Sequence, residues 1–225
     1  MKERPILFSG PMVRALLDGR KTQTRRVIKL PHNNPLGQWE PSTVGGPNGG
    51  RTADGQLVPL QDAIWHTRTG DSLICPHGQP GDRLWVRETW RGVVAINPPG
   101  KSTELGVARY VPDQEHCRRV EYQATHAWDS EPWRPSIHMP RWASRITLEV
   151  TGVRVERLQD ISEADAIAEG IEKTAAGFWS TYGQSDVNGT YSPVTSYRCL
   201  WNSINGADSW DANPWVWVVD FKRAA

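Results

Sequence analysis

Residues 19–26 of this chain read Gly19-Arg20-Lys21-Thr22-Gln23-Thr24-Arg25-Arg26, which places four cations and two hydroxyls directly after a short amphipathic helix. The helix is predicted from Pro11, which suits a first helical position, and from the apolar residues that follow at helical spacing up to Gly19. One or two cations would be enough to offset the negative end of the helix dipole. Four cations therefore indicate contact with a polyanion or with a negative charge that develops during a reaction.

The sequence leaves the conformation between Lys21 and Thr24 open. In a turn or a helix, residues three apart lie on one face, so the ammonium and the hydroxyl would meet. In an extended strand, the same spacing places them on opposite faces. The next strand is predicted over residues 27–30.

The chain on either side of this stretch has more predicted strands than helices. A second helix is predicted over 161–170, with Ser162 as N-cap, Asp165 near position N3 and Gly170 as the stop. A short helix is also predicted over 197–204. Together these elements predict an α+β fold, a small curled sheet or barrel with two or three helices and long loop insertions. Strands are predicted near residues 5–8, 27–30, 72–75, 84–90, 119–124, 144–158 and 214–221.

The chain of 225 residues is predicted to form a single domain, 1–225, because no stretch divides it into two compact halves. Three stretches rich in Pro, Gly, Asn, Ser or Thr are predicted to be insertions, at about 31–66, 91–117 and 172–194. The first has almost no aliphatic residues as far as Gly55. We therefore expect a loop without a core, either a lid or a tolerated insertion.

Charge and hydropathy restrict the class of protein. The 26 Lys and Arg residues nearly balance the 25 Asp and Glu residues, so affinity for nucleic acid must come from local clusters such as residues 20–29. No apolar run approaches the length of a membrane span, and the N-terminus lacks the apolar core of a signal peptide. A cytoplasmic protein without contact to a membrane is predicted.

The cysteines predict neither a disulfide framework nor a strong metal site. An odd number of cysteines fits reduced thiols, here Cys75, Cys117 and Cys199. Cys75 and His77 form a Cys-x-His pattern, which His66, His116 or Cys117 could extend. The spacings match no structural zinc pattern well, so no metal and no cofactor are expected.

Twelve tryptophans against three phenylalanines predict a core built from large rings, several of which line a groove where one end stays wet.

Glu88 continues the apolar face of strand 84–90, so it lies either at the strand end in water or paired inside a pocket. The segment 133–145 is held irregular by its prolines and presents arginine beside tryptophan, a pairing that stacks on bases and binds phosphates. Its candidate residues are Arg134, His138, Arg141, Trp142 and Arg145.

The motif Gly-Arg-Lys-Thr-x-Thr-x-Arg after a helix, followed by Gly-Asp-x-Leu-x-Val-x-Glu at 81–88, resembles the ASCH domain, a relative of the PUA-like RNA-binding barrels. Residues 5–29 and 80–90 carry the clearest match. Residues 144–171 and 213–223 fit the remaining strands and helix of that family. The whole chain resembles the longer version found in phage and prophage genomes, in which insertions split the core.

This resemblance implies a function. Some small bacterial ASCH proteins hydrolyse N4-acetylcytidine with a lysine, a threonine and a glutamate, which by position would be Lys21, Thr24 and Glu169. The implied protein is an amidohydrolase that removes an acyl group from a modified nucleobase, with Thr24 as nucleophile, Lys21 as base and Glu169 as the acid that orients the amine or protonates the leaving nitrogen. The candidates for binding substrate are Arg20, Arg25, Arg26, Glu88, His138, Arg141, Trp142 and Arg145.

Two other functions fit the same residues. A module that binds RNA or DNA without catalysis would use the cations on phosphates and a ring such as Trp142 on a base. A ribonuclease with Lys21 or His138 as base is the third possibility. In each case the partner is a modified nucleoside or a nucleic acid, with RNA favoured over DNA.

Overall fold

The computed structural model of the chain describes residues 1–47, 50–51, 54–93, 113–115, 117–127, 129–184 and 189–224. These residues form a mixed α+β fold with ten strands and three α-helices. The helices are α1 (Gly10–Leu17), α2 (Glu163–Ala168) and α3 (Pro193–Asn205). The strands are β1 (Glu3–Leu7), β2 (Gln23–Val27), β3 (Trp39–Val44), β4 (Gln61–His66), β5 (Ser72–Ile74), β6 (Arg83–Arg87), β7 (Trp90–Val93), β8 (Arg119–Tyr122), β9 (Thr147–Arg157) and β10 (Trp215–Arg223).

The main sheet has five strands in the order β1-β6-β9-β10-β2. β1 and β6 run parallel, and the other pairs are antiparallel. The two outer strands are close enough for a side-chain contact. The Arg26 guanidinium on β2 donates a hydrogen bond of 2.6 Å to the carbonyl oxygen of Leu7 on β1. The sheet is therefore curled, but β1 and β2 do not pair, so the described strands do not close into a barrel.

β10 is buried on both faces and joins two cores. Trp217, Val219 and Phe221 face the main core, which also holds Val13 and Leu16 of α1. The alternate residues of β10 face a second core under α2 and α3, whose members include Leu158, Tyr197, Trp201, Trp210, Val216 and Val218. A central strand buried on both sides reads as an unbroken apolar run, as residues 215–219 do.

The strand after α1 begins earlier than the sequence predicts. β2 covers Gln23–Val27 and pairs with β10, whereas the apolar pattern predicts a strand over 27–30. Gln23, Thr24 and Arg25 are all buried. The prediction was wrong because hydrogen bonds and ion pairs hold the buried side chains of Gln23 and Arg25, and such contacts leave no apolar alternation in the sequence.

The first predicted insertion contains two strands, β3 and β4, and is not a loop without a core. β3, β4 and β5 form a separate antiparallel sheet. Trp39 and Ile64 of this sheet are buried in the main core. The loop prediction for residues 31–55 was wrong at β3, because the ring of Trp39 supplies apolar area that a count of aliphatic residues misses.

Several predicted boundaries agree with the structure. Ser162 caps α2 by accepting a hydrogen bond from the Asp165 amide, and Gly170 follows the helix with φ 84°. β9 is one long strand within the predicted range 144–158, and its pairing with β10 shifts beside Gly152. Most of the predicted insertion at 91–117 lies outside the described residues, as do residues 185–188 of the insertion at 172–194. The longest helix in the described ranges has 13 residues, and none is long and apolar enough to cross a membrane.

Candidate active site

Lys21 lies in the turn between α1 and β2 with its side chain inside the protein. The amides of Arg20 and Lys21 both donate to the carbonyl oxygen of Ala15, which fixes the turn. The ammonium donates three hydrogen bonds, to Glu169 Oε2 at 2.7 Å, to the Glu169 carbonyl at 2.8 Å and to the Gln23 carbonyl at 2.8 Å. Since an ammonium has three protons, every donor of Lys21 is used.

Glu169 is the C-terminal cap of α2 and lies 148 residues from Lys21 in the chain. Its Oε2 accepts from Lys21, while Oε1 accepts from the Tyr197 hydroxyl at 3.2 Å and lies 3.5 Å from the Arg25 guanidinium. A carboxylate at this end of a helix is unfavourable against the dipole. The contact with Lys21 supplies the compensating charge.

Gly170 lets α2 approach Lys21 closely. A Cβ on Gly170 would lie 2.8 Å from Lys21 Cβ and 2.9 Å from Ala15 Cβ, closer than real Cβ contacts, and its φ of 84° is left-handed. The helix stop predicted from sequence therefore also sets the distance between the two charged residues.

Thr24 lies in β2, the open edge of the main sheet. Two backbone hydrogen bonds, from the Phe221 amide to the Thr22 carbonyl and from the Ile28 amide to the Trp215 carbonyl, fix the register of β2 against β10. The even-numbered residues of β2 therefore form backbone hydrogen bonds with β10, and the backbone groups of residue 25 point to the open edge. Within the described residues, no hydrogen bond joins the Thr24 hydroxyl to another group. This hydroxyl is therefore available to a ligand.

A cleft runs along this edge, between β2 and α3, and encloses about 80 Å³. Thr24, Arg25 and Glu169 give it a polar floor. Apolar residues at its mouth are exposed or half-exposed, as Val27 and Ile204 are. The full lining is Met12, Thr24, Arg25, Arg26, Val27, Glu169, Tyr197, Leu200, Trp201, Ile204 and Asn205.

Burial dominates the electrostatics of the Lys21 ammonium. Burial lowers the pKa of Lys21 below its ordinary value, and the nearby Arg26 and Arg25 act in the same direction, while the Glu169 carboxylate opposes them. Burial likewise raises the pKa of Tyr197 well above its ordinary value, and the charge of Glu169 adds to this. Tyr197 is therefore a neutral donor, whereas Lys21 is easier to deprotonate than a lysine in water.

Arg25 forms ion pairs with two carboxylates that do not line the cleft, those of Glu156 and Asp165. Its guanidinium lies 3.1 Å from Glu156 and 3.4 Å from Asp165, and its side chain is fully buried. Burial alone would raise the pKa of Asp165, but hydrogen bonds from Gln23 and Ser162 lower it below its ordinary value. These carboxylates compensate the charge of Arg25, so Glu169 remains the partner of Lys21.

Three of the predicted binding residues lie in or beside this site. Arg25 and Arg26 line the cleft. Arg20 lies next to it and donates to the carbonyl oxygens of Gly170 and Ile171 at 3.2 and 3.4 Å. Of the three predicted catalytic residues, Thr24 and Glu169 line the cleft, and Lys21, which does not line it, contacts Glu169 at 2.7 Å.

Glu88 and Arg145 are not part of the cleft. Glu88 is 1% exposed and accepts two hydrogen bonds of 2.9 Å from Arg145, one on each carboxylate oxygen. The Arg145 guanidinium stacks on the ring of Tyr122, 3.9 Å from its centroid. Of the two placements that the sequence allows for Glu88, the structure has the paired one.

The remaining candidates also lie away from the cleft lining. His138 is exposed on a 3₁₀ turn, and Arg141 pairs with Glu3 at the surface. Trp142 packs edge-on against the buried Trp90, at 5.7 Å between ring centroids. Trp142 is half-buried and packs against a small core that includes Met139 and Ala143, and its contact with a base stays a prediction.

The sequence analysis missed two residues of the site, Tyr197 and Trp201 of α3. Tyr197, Leu200, Trp201 and Ile204 recur at i, i+3, i+4 and i+7, the pattern of one helix face. That pattern indicates a buried stripe. It does not say that part of the stripe borders a cleft.

No group of three His, Cys, Asp or Glu side chains in the described part of the chain is arranged to hold a metal ion. Burial raises the pKa of Cys75 to about 11 and lowers that of His77 to about 4. Both are therefore neutral at neutral pH. His116, the possible further ligand, lies outside the described residues.

No protein-family model, curated protein or solved structure matches this chain.

Proposed function

We propose that the cleft is the active site of an amidohydrolase that removes an acyl group from the exocyclic nitrogen of a modified nucleobase such as N4-acetylcytidine. The observation that carries the proposal is the buried contact of 2.7 Å between Lys21 and Glu169, at a cleft floor where the Thr24 hydroxyl has no partner among the described residues. A nucleophile, a base and an acid are the groups that acyl transfer needs.

In the proposed reaction, Lys21 acts in its neutral form, which its lowered pKa favours. Lys21 accepts the proton of the Thr24 hydroxyl as the Thr24 oxygen bonds to the acyl carbon. The bond from that carbon to the exocyclic nitrogen then breaks, and the nitrogen takes a proton from the pair. Water hydrolyses the resulting ester by the same steps, which releases the acid and restores Thr24.

The size of the cleft supports a small acyl group as the part that enters. An engineered cavity of about 150 Å³ binds benzene, whereas this cleft encloses about 80 Å³. An acetyl group fits that space, and a whole base does not. The base would lie at the mouth, between the apolar side chains of Val27 and Ile204.

A non-catalytic reader of modified bases is the second candidate, and one observation favours it. All three protons of the Lys21 ammonium are used in hydrogen bonds, as in a structural ion pair. Lys21 must give up one of these bonds before it can act as a base. The ribonuclease hypothesis gains no support from His138, which does not line the cleft.

We also propose that the curled sheet is the core of an ASCH domain, in the longer form found in phage and prophage genomes. Two features support membership: the Lys21–Glu169 contact, and the approach of β1 and β2 through Arg26. The partner would then be a modified nucleoside or a nucleic acid, with RNA favoured over DNA, and the protein would act in the cytoplasm.

The proposal is tested by incubating the protein with N4-acetylcytidine and measuring cytidine and acetate by chromatography, with Lys21→Ala beside the wild type. Hydrolysis that disappears in the variant is the expected result. Absence of turnover by folded wild type, with binding of N4-acetylcytidine retained, would favour the reader. Arg154→Ala is a suitable control, because Arg154 pairs with Asp165 and Asp220 but does not line the cleft.

A further inference from the structure

The indole N–H of Trp201 is a buried donor without a hydrogen-bond partner in the described part of the chain. The residue is 5% exposed and lines the cleft. A buried donor that loses its water and gains no partner destabilises the folded state. Such groups are rare in native proteins, and each one requires an explanation.

Among the described residues, Arg134 Nε and Thr174 Oγ1 are also buried and unpartnered, but neither residue lines the cleft. The unpartnered donors of Arg25, Arg26 and Trp90 have explanations that Trp201 lacks. The Arg25 and Arg26 side chains each have an unpartnered Nε, but other nitrogens of both guanidinium groups are hydrogen-bonded. Trp90 also has an unpartnered Nε1, and the ring of Trp142 stands perpendicular to it, an arrangement in which an N–H can point at a ring face. The nearest ring to Trp201, Tyr197, is tilted by 50° at 6.2 Å between centroids.

The position of Trp201 indicates which ligand atom could accept the hydrogen bond of its indole N–H. An indole N–H donates and cannot accept, so its partner is an acceptor atom. Thr24, Glu169 and Trp201 line the same cleft of about 80 Å³, so an acyl group that enters the cleft for attack by Thr24 lies beside Trp201. The acceptor available there is the acyl oxygen.

We propose that the Trp201 indole N–H hydrogen-bonds the acyl oxygen and stabilises the negative charge that forms on it during attack by Thr24. This inference rests on the proposed amidohydrolase function. As the bond from Thr24 to the acyl carbon forms, the π electrons of the carbonyl move to the oxygen. The oxygen returns them when the bond to the exocyclic nitrogen breaks, so the indole keeps its proton throughout.

The test replaces Trp201 by benzothienylalanine, in which sulfur occupies the place of the N–H, and by Phe. The isosteric residue removes the donor and keeps the ring volume. We expect kcat/KM for N4-acetylcytidine to fall by about 100- to 1,000-fold, mostly in kcat. The thermal midpoint of the isosteric variant should stay equal or rise, because the donor is unpartnered in the empty protein. Full kcat/KM in this variant would overturn the inference.

Trp210→Phe is the matched control for Trp201→Phe. Trp210 belongs to the same core and also contacts Tyr197, at 6.2 Å between ring centroids, but it does not line the cleft. We expect Trp210→Phe to change stability and leave kcat/KM within about threefold. An equal fall in kcat/KM for both Phe variants would show that loss of packing, not loss of the donor, is responsible.

Failure of this inference and failure of the proposed function give different results. If the wild type hydrolyses N4-acetylcytidine and the isosteric variant does so equally well, the role of Trp201 is excluded and the amidohydrolase stands. If the wild type does not hydrolyse it, the amidohydrolase is excluded. Titration of N4-acetylcytidine then decides the donor role: about tenfold weaker binding by the isosteric variant supports it, and equal or absent binding excludes it.

Discussion

Two buried carboxylates that the sequence analysis singled out, Glu169 and Glu88, are paired with cations in different ways. Arg145 occupies both oxygens of Glu88 and is itself covered by the ring of Tyr122. Glu169 is shared between Lys21, Tyr197 and Arg25, and it borders a cleft. Neither residue of the first pair lines the cleft, whereas Glu169 of the second pair does.

This difference distinguishes a structural ion pair from a candidate catalytic pair. Burial does not distinguish them, since both carboxylates are at most 3% exposed. An arginine does not give up its proton in a protein, so the Glu88 pair cannot move protons at neutral pH. A lysine whose pKa is lowered by burial can do so. A buried ion pair becomes a candidate for catalysis when one partner titrates and a ligand can reach it.

The largest expected effect is the loss of activity in Lys21→Arg. The guanidinium keeps the positive charge opposite Glu169 but cannot accept the proton of Thr24, so the Lys21 pair becomes chemically like the Glu88 pair. We expect hydrolysis of N4-acetylcytidine to fall by about 1,000-fold or more. Near-ultraviolet circular dichroism of the tryptophans checks that the variant is folded. Activity within tenfold of the wild type would contradict Lys21 as the base.

The second prediction compares the stability of Glu169→Gln with that of Glu88→Gln. Loss of Glu169 leaves the fully buried Lys21 ammonium without its charged partner, which costs about 3–5 kcal/mol. Arg145 is 26% exposed and can turn toward water, so loss of Glu88 should cost about 1–3 kcal/mol. Urea unfolding with unchanged m-values measures both. Equal losses would mean that the two pairs have the same structural role.

The third prediction concerns pH. Because burial lowers the pKa of folded Lys21, the unfolded chain binds more protons at this position in the window between the folded and unfolded pKa values. The free energy of unfolding therefore gains a contribution that rises with pH across that window. Neutral Lys21 is the active form, so kcat/KM should rise about tenfold per pH unit below the folded pKa. A value of kcat/KM that does not rise with pH anywhere between the acid limit of folding and the ordinary pKa of lysine would argue against this assignment.

The smallest expected effect is that of Glu88→Gln on activity. Neither Glu88 nor Arg145 lines the cleft, so kcat/KM should stay within about threefold of the wild type at a temperature where the variant is folded. A larger fall, with KM raised and kcat unchanged, would indicate that the Arg145 region also contacts the substrate.

The fold class could be predicted from local patterns. Alternation, the cap at Ser162 and the stop at Gly170 correspond to β9 and α2 in the structure. The position of β2 could not be predicted, because its buried residues are polar and the partners of Gln23 and Arg25 lie far along the chain. β3 was missed because a single large ring, Trp39, replaces the aliphatic residues that a strand usually shows.

The site could be predicted in part. The motif with Lys21 and Thr24 stands out in the sequence, and the glutamate at the unfavourable end of α2 hints at a partner. The pairing of these residues across 148 positions does not follow from spacing. Trp201 could not be identified, because an indole in a core stripe and an indole at a cleft wall have the same sequence pattern.

The most direct test of the account is hydrolysis of N4-acetylcytidine by Thr24→Val, compared with the wild type at matched thermal stability. Valine has the shape of threonine without the hydroxyl, and the hydroxyl has no hydrogen-bond partner in the described structure. The account predicts an unchanged or slightly higher thermal midpoint and release of acetate lowered by about 1,000-fold or more. Acetate release at the wild-type rate by this variant would contradict the claim that the cleft beside the Lys21–Glu169 pair is a hydrolytic site with Thr24 as its nucleophile.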